Sequence, residues 1–332
     1  MKKGFAGYAP KPSKIVKHAA VIAALIALAL LPVWGTDSQK NIFILIFLFM
    51  AMGQMWNLLA GYAGLVSLGQ QMFIGLGGYT VAVVCQSYDL PIAVGLLVTP
   101  LICVLFALVI SLPIFKMSGV FFTIGSWIAA EALMLFFTNW SFVRYGFGFS
   151  ITAAYSLTLE AMYMIAFALG AGSVLAVYLI LRTSFGLGIM AMRDNEAVAE
   201  IRGVKIYRTK LTCFLISAFI TGLAGAAIHL YYVYIQPYAA FSIDWTVIMV
   251  FMVIIGGIGT IEGPIVGAFI YVLLRQQLLN YPGVSMLIFG AIAIVIILVA
   301  PKGITGTLHD KAGFELFSVR RIPKARRTEN RA

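Results

Sequence analysis

Ten apolar stretches constrain this chain more than any other feature, at roughly 18–35, 41–60, 66–86, 91–115, 118–138, 160–181, 211–235, 245–260, 264–280 and 284–300. About 20 predominantly apolar residues suffice to cross the hydrocarbon layer as an α-helix. Inside that layer every backbone donor and acceptor must be satisfied by the protein itself. The expected fold is therefore an all-α polytopic membrane protein with about ten transmembrane helices. Composition agrees: 62% of residues are hydrophobic and 11% are charged, against about 25% charged in soluble domains. A water-soluble enzyme is excluded.

An even number of spans puts both termini on one side, and charge says which. Of 23 Lys and Arg, all but Lys40, Arg144 and Arg275 lie in 1–17, at Lys116, in 182–210 or in 301–332. The positive-inside rule makes those segments cytoplasmic. The expected organisation is a basic cytoplasmic N-terminus (1–17), a transmembrane domain (18–300) and a basic cytoplasmic tail (301–332). A net charge of +11 distributed in this way points to anionic lipid rather than nucleic acid. No small-residue cleavage site follows the basic N-terminus, so a retained first span is expected.

One long polar segment interrupts the apolar pattern, RTSFGLGIMAMRDNEAVAEIRGVKIYRTK at 182–210. Asp194 or Asn195 can cap a short helix there, and Gly203 can end it. Ala197, Val198 and Ile201 share one side of that helix at helical spacing, with charges opposite. Such a helix between spans suits docking to a soluble partner. A solvated linker, or a helix lying on lipid headgroups, fits the same pattern.

Two glycine clusters mark broken helices. The first lies in GYAGLVSLGQQMFIGLGGYT, residues 61–80, with Gly61, Gly64, Gly69, Gly75, Gly77 and Gly78. The second is GGIGTIEGPIVGA, residues 256–268, with Gly256, Gly257, Gly259 and Gly263. Glycine lets helix backbones approach closely and permits unwound segments that line a cavity. Asn57, Ser67, Gln70 and Gln71 are costly if unpaired in lipid, so they face neighbouring helices or a polar pathway. Interrupted helices in both halves of the chain predict two pseudo-symmetric halves with the pathway between them.

Glu131 is the clearest intramembrane charge, open to three readings: bundle hydrogen bonding, pathway lining or an interfacial position. His229 has no second histidine or carboxylate placed for a relay, so a structural hydrogen bond is expected. Arg275 lies about 20 Å along a helix from Glu262, which argues against a pair. The aromatic loop 139–158 is the longest expected external loop, suited to receiving a delivering protein or to packing at the membrane face. Cys85, Cys103 and Cys213 lack metal or disulfide spacing. No phosphate loop, HExxH or nucleophile elbow occurs. Neither catalytic nor metal residues are expected, and no cofactor in this chain.

Three stretches carry a resemblance: NLLAGYAGLVSLGQQMFIGLGGYT (57–80), AMRDNEAVAEIRGVKIYRTKLTCFLISAFITGLAGA (191–226) and GGIGTIEGPIVGA (256–268), followed by PKGITG at 301–306. Together they resemble the signatures of branched-chain amino-acid ABC transporter permeases of the LivM type. Arg202 and Glu262 depart from the pattern, standing where uncharged residues are expected. The resemblance implies an importer permease in a bacterial or archaeal inner membrane, working by alternating access. Its implied partners are a second permease of LivH type, two ABC ATPases that carry ATP and Mg, and a periplasmic or lipid-anchored solute-binding protein. It implies that Arg193, Asp194, Asn195, Glu196, Ala199 and Gly203 form the ATPase-coupling loop. Permeases for urea or short amides share these signatures. Without the resemblance, a stand-alone secondary transporter or channel is the competing reading.

Overall fold

The computed structural model describes residues 14–278, 282–300 and 302–312. The basic segments before 14 and beyond 312 lie outside the described residues. In chain order the helices are α1 (Lys14–Trp34), α2 (Asp37–Asn57), α3 (Gln71–Ser87), α4 (Ile92–Ile114), α5 (Val120–Asn139), α6 (Leu159–Arg182), α7 (Ser184–Asp194), α8 (Glu196–Ile201), α9 (Ile206–Tyr232), α10 (Pro237–Ala240), α11 (Asp244–Gly256), α12 (Glu262–Gln277), α13 (Pro282–Val299) and α14 (Gly303–Ala312). Each of the ten apolar stretches falls on a helix. Among the described residues, seven helical segments are long and apolar enough to cross a membrane, from Asp37–Tyr62 through Leu287–His309. At the glycine clusters α3 and α12 are shorter, with 17 and 16 residues, and the 13-residue α11 reaches spanning length only together with α10, as Pro237–Gly256.

Local sequence explains the helix starts. Thr36 and Gln39 form a reciprocal capping box at α2, the Thr36 hydroxyl accepting from the Gln39 N–H and the Gln39 side chain accepting from the Thr36 N–H. Thr158 caps α6, and α4 begins just after Pro91.

Helix α2 is the centre of the bundle, buried almost continuously from Ile44 to Asn57. It packs against α6, α9, α11 and α12, while α3 and α4 stack on α9. The α3–α9 approach is close: a Cβ on Gly77 would stand 2.0 Å from the Gly222 carbonyl oxygen, so only glycine fits there. Buried Lys40 makes an ion pair with Glu160 at 2.8 Å, joining α2 to α6. Leu97, Leu105, Val109, Phe121, Ile128, Leu287 and Leu298 on α4, α5 and α13 are exposed. Those outer faces suit lipid tails or a second subunit.

The loop between α5 and α6 is folded onto the bundle. Its strand β1 (Phe149–Ser150) pairs antiparallel with β2 (Tyr234–Ile235), and Phe149 faces Ile235. Val143 and Ile151 are buried beneath it, while Phe142, Tyr145, Phe147 and Tyr155 remain exposed.

Candidate functional site where two helix breaks meet the polar loop

The first break begins where α2 loosens into a π-helical turn, Leu58–Tyr62. The Ala63 N–H reaches back five residues to the Leu58 carbonyl at 3.1 Å, the wider spacing that recurs at functional sites. Gly64 then turns the chain at φ +72°. Residues 63–70 return beside α2 without helical structure, and the Trp56 indole N–H pins them by donating to the Ser67 carbonyl at 2.9 Å. The second break follows Gly256. Gly257 and Gly259 take φ +128° and +72°, and the Thr260 hydroxyl donates to the Gly257 carbonyl at 2.8 Å. From α14, the Thr305 hydroxyl donates to the Gly256 carbonyl at 2.6 Å.

These two breaks are joined to each other. Asn57 is fully buried, and its amide Nδ2 donates to the Thr260 carbonyl at 2.8 Å. Its Oδ1 accepts from the Gly259 N–H, also at 2.8 Å. One turn earlier on α2, the Gln54 amide donates to the Ile261 carbonyl at 2.6 Å. A pair of side chains on one helix face thus satisfies the backbone that the second break leaves exposed, as a membrane interior requires.

The polar loop reaches the same place. Arg193, near the end of α7, donates from Nη1 to the Gly61 carbonyl at 3.0 Å. Its Nε and Nη2 are held by the Asp194 carboxylate at 3.2 and 3.1 Å. A Cβ on Gly64 would meet the Arg193 Cα at 3.3 Å, and one on Gly259 would meet Arg193 Nη1 at 3.6 Å. Arg193 therefore sits in a seat formed by both glycine clusters. The next helix, α8, is capped by Asn195, whose Oδ1 accepts from the Val198 N–H at 3.1 Å; Asp194 binds Arg193 instead. Gly203 ends the turn at φ +87°. Ala199 is 1% exposed and fastens α8 to the bundle, whereas Val198 and Ile201 are 47% and 86% exposed. The Glu196 carboxylate pairs with Lys210 at 2.7 Å, tying α8 to α9.

Other expected residues lie apart from this junction. Gln70 is fully buried and accepts at Oε1 from the Ser217 and Thr221 hydroxyls at 3.2 and 3.3 Å. Neighbouring Gln71 accepts from Thr246. The Nε2 groups of both glutamines have no hydrogen-bond partner among the described residues. Gly75 faces the Phe241 ring, where a Cβ would stand 2.4 Å from the ring carbons. Glu131 accepts from the Trp127 indole of its own helix at 2.9 Å on an exposed face. His229 is buried, with Nδ1 2.7 Å from the Gly225 carbonyl oxygen. Glu262 occupies the buried first turn of α12, and Arg275 lies near that helix's other end. No group of three or more His, Cys, Asp or Glu side chains converges as a metal site among the described residues. Sequence reasoning missed Gln54, Thr260 and Thr305. For Gln54 the signal was present: it precedes Asn57 by three residues, which is one helical face.

An α-helical bundle with seven helical segments long and apolar enough to cross a membrane among the described residues, built on two joined helix breaks with a polar loop seated on both, is a multi-pass membrane protein. Residues 40–300 match the family described as branched-chain amino acid transport system / permease component, and the chain belongs to that family. The high-affinity branched-chain amino acid transport system permease protein LivM of Escherichia coli (strain K12) is 23% identical over 320 residues, spanning 87% of this chain and 75% of that protein. The probable branched-chain amino acid transport permease protein LivH of Methanocaldococcus jannaschii is 28% identical over 40% of this chain and 44% of its own. The ribose import permease protein RbsC of Haemophilus influenzae is 28% identical over 38% of this chain and 41% of its own. No solved structure matches the chain.

Proposed function

We propose that this chain is a permease subunit of a binding-protein-dependent ABC importer for branched-chain amino acids. The observation that carries the reading is the hydrogen bond from Arg193 to the Gly61 carbonyl. It connects an exposed polar loop to a broken helix at one end of the bundle, and Asn57 extends the connection to the second break. Val198 and Ile201 on α8 offer an apolar docking face to an ATPase. ATP binding closes a pair of ATPases, the loop moves with them, and Arg193 shifts the breaks so that access alternates between the two sides. ATP and Mg reside on those partners. A second permease of LivH type completes the pore, and a solute-binding protein delivers to the opposite face, where the α5–α6 loop displays its aromatic residues.

The loop side is cytoplasmic, as are both termini, and the membrane is the inner membrane. The grouping of Lys and Arg supports this orientation. The choice of solute rests on coverage. Two LivM relatives that each span 87% of the chain are named for branched-chain amino acids, whereas the ribose match covers 38% of it.

The test pairs uptake with recovery of partners. Arg193→Ala should abolish uptake of labelled leucine while the variant remains in the membrane at normal level. Wild-type protein purified from its native membrane should bring ATPase subunits and a second permease with it. Normal uptake by the variant, or a wild-type chain that purifies alone and moves solute in liposomes without ATP, would refute the coupling role.

A further inference from the structure

A second polar site lies at the other end of the bundle, about 20 Å along α12 from the second break. There the outer turns of α2, α9 and α12 line a partly open cavity of about 560 Å³, within the range of small-molecule sites. Arg275 lines it. Its Nη1 donates to the Tyr232 hydroxyl at 3.0 Å, and its guanidinium carbon lies 5.9 Å from the centre of the Phe49 ring. No carboxylate of the described residues forms an ion pair with it. A guanidinium has five donors in a planar fork that matches a carboxylate. A half-buried cation with a neutral hydroxyl and a ring as its neighbours is therefore short of an anion.

The rest of the lining narrows the anion. Ile42, Leu45 and Val272 give the cavity an aliphatic wall. Ser38 and Asn41 supply oxygen atoms, with the Asn41 Oδ1 already accepting from Tyr231 at 3.2 Å. We propose that this cavity binds a small aliphatic amino acid, its carboxylate on Arg275, its side chain on the aliphatic wall and its ammonium group toward Ser38 and Asn41. The proposal rests on the importer reading above and adds a solute contact site to it. An anionic lipid headgroup presents related chemistry from a different source, and the experiment separates the two.

The full-length chain, in nanodiscs of phosphatidylcholine, is titrated with L-leucine and with L-leucinamide, which lacks the carboxylate. Leucine should bind, and leucinamide should bind at least about ten-fold more weakly. Arg275→Gln should weaken leucine roughly ten- to a hundred-fold, with Arg275→Lys losing less because it keeps the charge without the fork. Gln276→Trp adds bulk at the exposed rim of the cavity without touching the charge, and should block binding even if Arg275→Gln fails to fold. Leucine binding that is absent, or indifferent to Arg275→Gln and Gln276→Trp, overturns the proposal. So does phosphatidylglycerol that displaces leucine, remains with the wild-type chain and is lost from Arg275→Gln, since the anion is then lipid. Leucine uptake by cells is scored separately. Uptake by wild type without binding at the cavity removes this site alone, while failure of uptake by wild type removes the importer reading.

Discussion

If Asn57 is the clip between the two breaks, removing it and crowding it should not be independent events. Asn57→Ala deletes both 2.8 Å hydrogen bonds and leaves the Gly259 N–H and the Thr260 carbonyl unpaired. Two lost bonds with orphaned backbone partners cost about 2–4 kcal/mol. Gly61→Ala acts on the same atoms from the other side: its new methyl would stand 2.1 Å from Asn57 Oδ1 and 2.7 Å from the Gly259 nitrogen. Overpacking of that kind costs about 1–3 kcal/mol. In the double variant the shorter clash has vanished with the Asn57 side chain, and the space it leaves can take the methyl. The double variant should therefore fall short of the summed single losses by about 1 kcal/mol or more. Cys85, Cys103 and Cys213 are all buried and free, so a thiol-reactive dye reports unfolding in an SDS titration of the detergent-solubilised protein. Losses that add to within about 0.5 kcal/mol would mean the two residues act independently, and the clip would be wrong.

Further predictions test neighbouring contacts. Gly257→Leu should lower both yield in the membrane and leucine uptake: the residue has φ +128°, and a Cβ there would meet the Thr305 hydroxyl oxygen at 2.5 Å. Unchanged yield and uptake would remove the close-approach argument at the second break. Glu131→Gln should leave uptake and melting temperature unchanged, because an amide oxygen can still accept from the Trp127 indole on this exposed face. A large loss of uptake in that variant at normal yield would place Glu131 in the pathway instead.

What the sequence made legible follows physical range. The ten apolar stretches declare themselves because hydrophobic length is counted along the chain. The breaks at 61–64 and 256–259 were visible as glycine clusters for the same reason. The cap of α8 was half legible: Asp194 and Asn195 are both good capping residues, and what separates them is that Arg193 takes the Asp194 carboxylate. The junction itself was not legible. Asn57 and Thr260 are 203 positions apart, Arg193 and Gly61 are 132 apart, and no periodicity relates such pairs. Glu131 read as an isolated charge because hydropathy weighs a residue by its neighbours in sequence. Its partner, Trp127, lies one turn away on the same face, a spacing that i,i+4 reasoning can supply.

The junction and the cavity at the far end share two of their three helices, and this gives the importer reading a mechanical form. Helix α2 carries Gln54 and Asn57 at one end and Asn41 at the other, about 24 Å away along the axis. Helix α12 begins directly after the second break and carries Arg275 in its last turn. The Asn57 and Gln54 contacts fasten α2 to that break, so under the proposed mechanism a push delivered through Arg193 at Gly61 would move α2 and α12 together. The third wall of the cavity is α9, which holds Tyr231 and Tyr232. Two polar contacts cross the seam between the moving pair and α9: Tyr231 to Asn41 and Arg275 to Tyr232. The first joins two neutral groups and is worth about 1 kcal/mol net, whereas the second has a charged donor and is worth about 1.5–3 kcal/mol. Under the proposed mechanism a solute carboxylate takes the place of the Tyr232 hydroxyl on Arg275, exchanging a neutral acceptor for a charged one on one side of the membrane as the loop is displaced on the other.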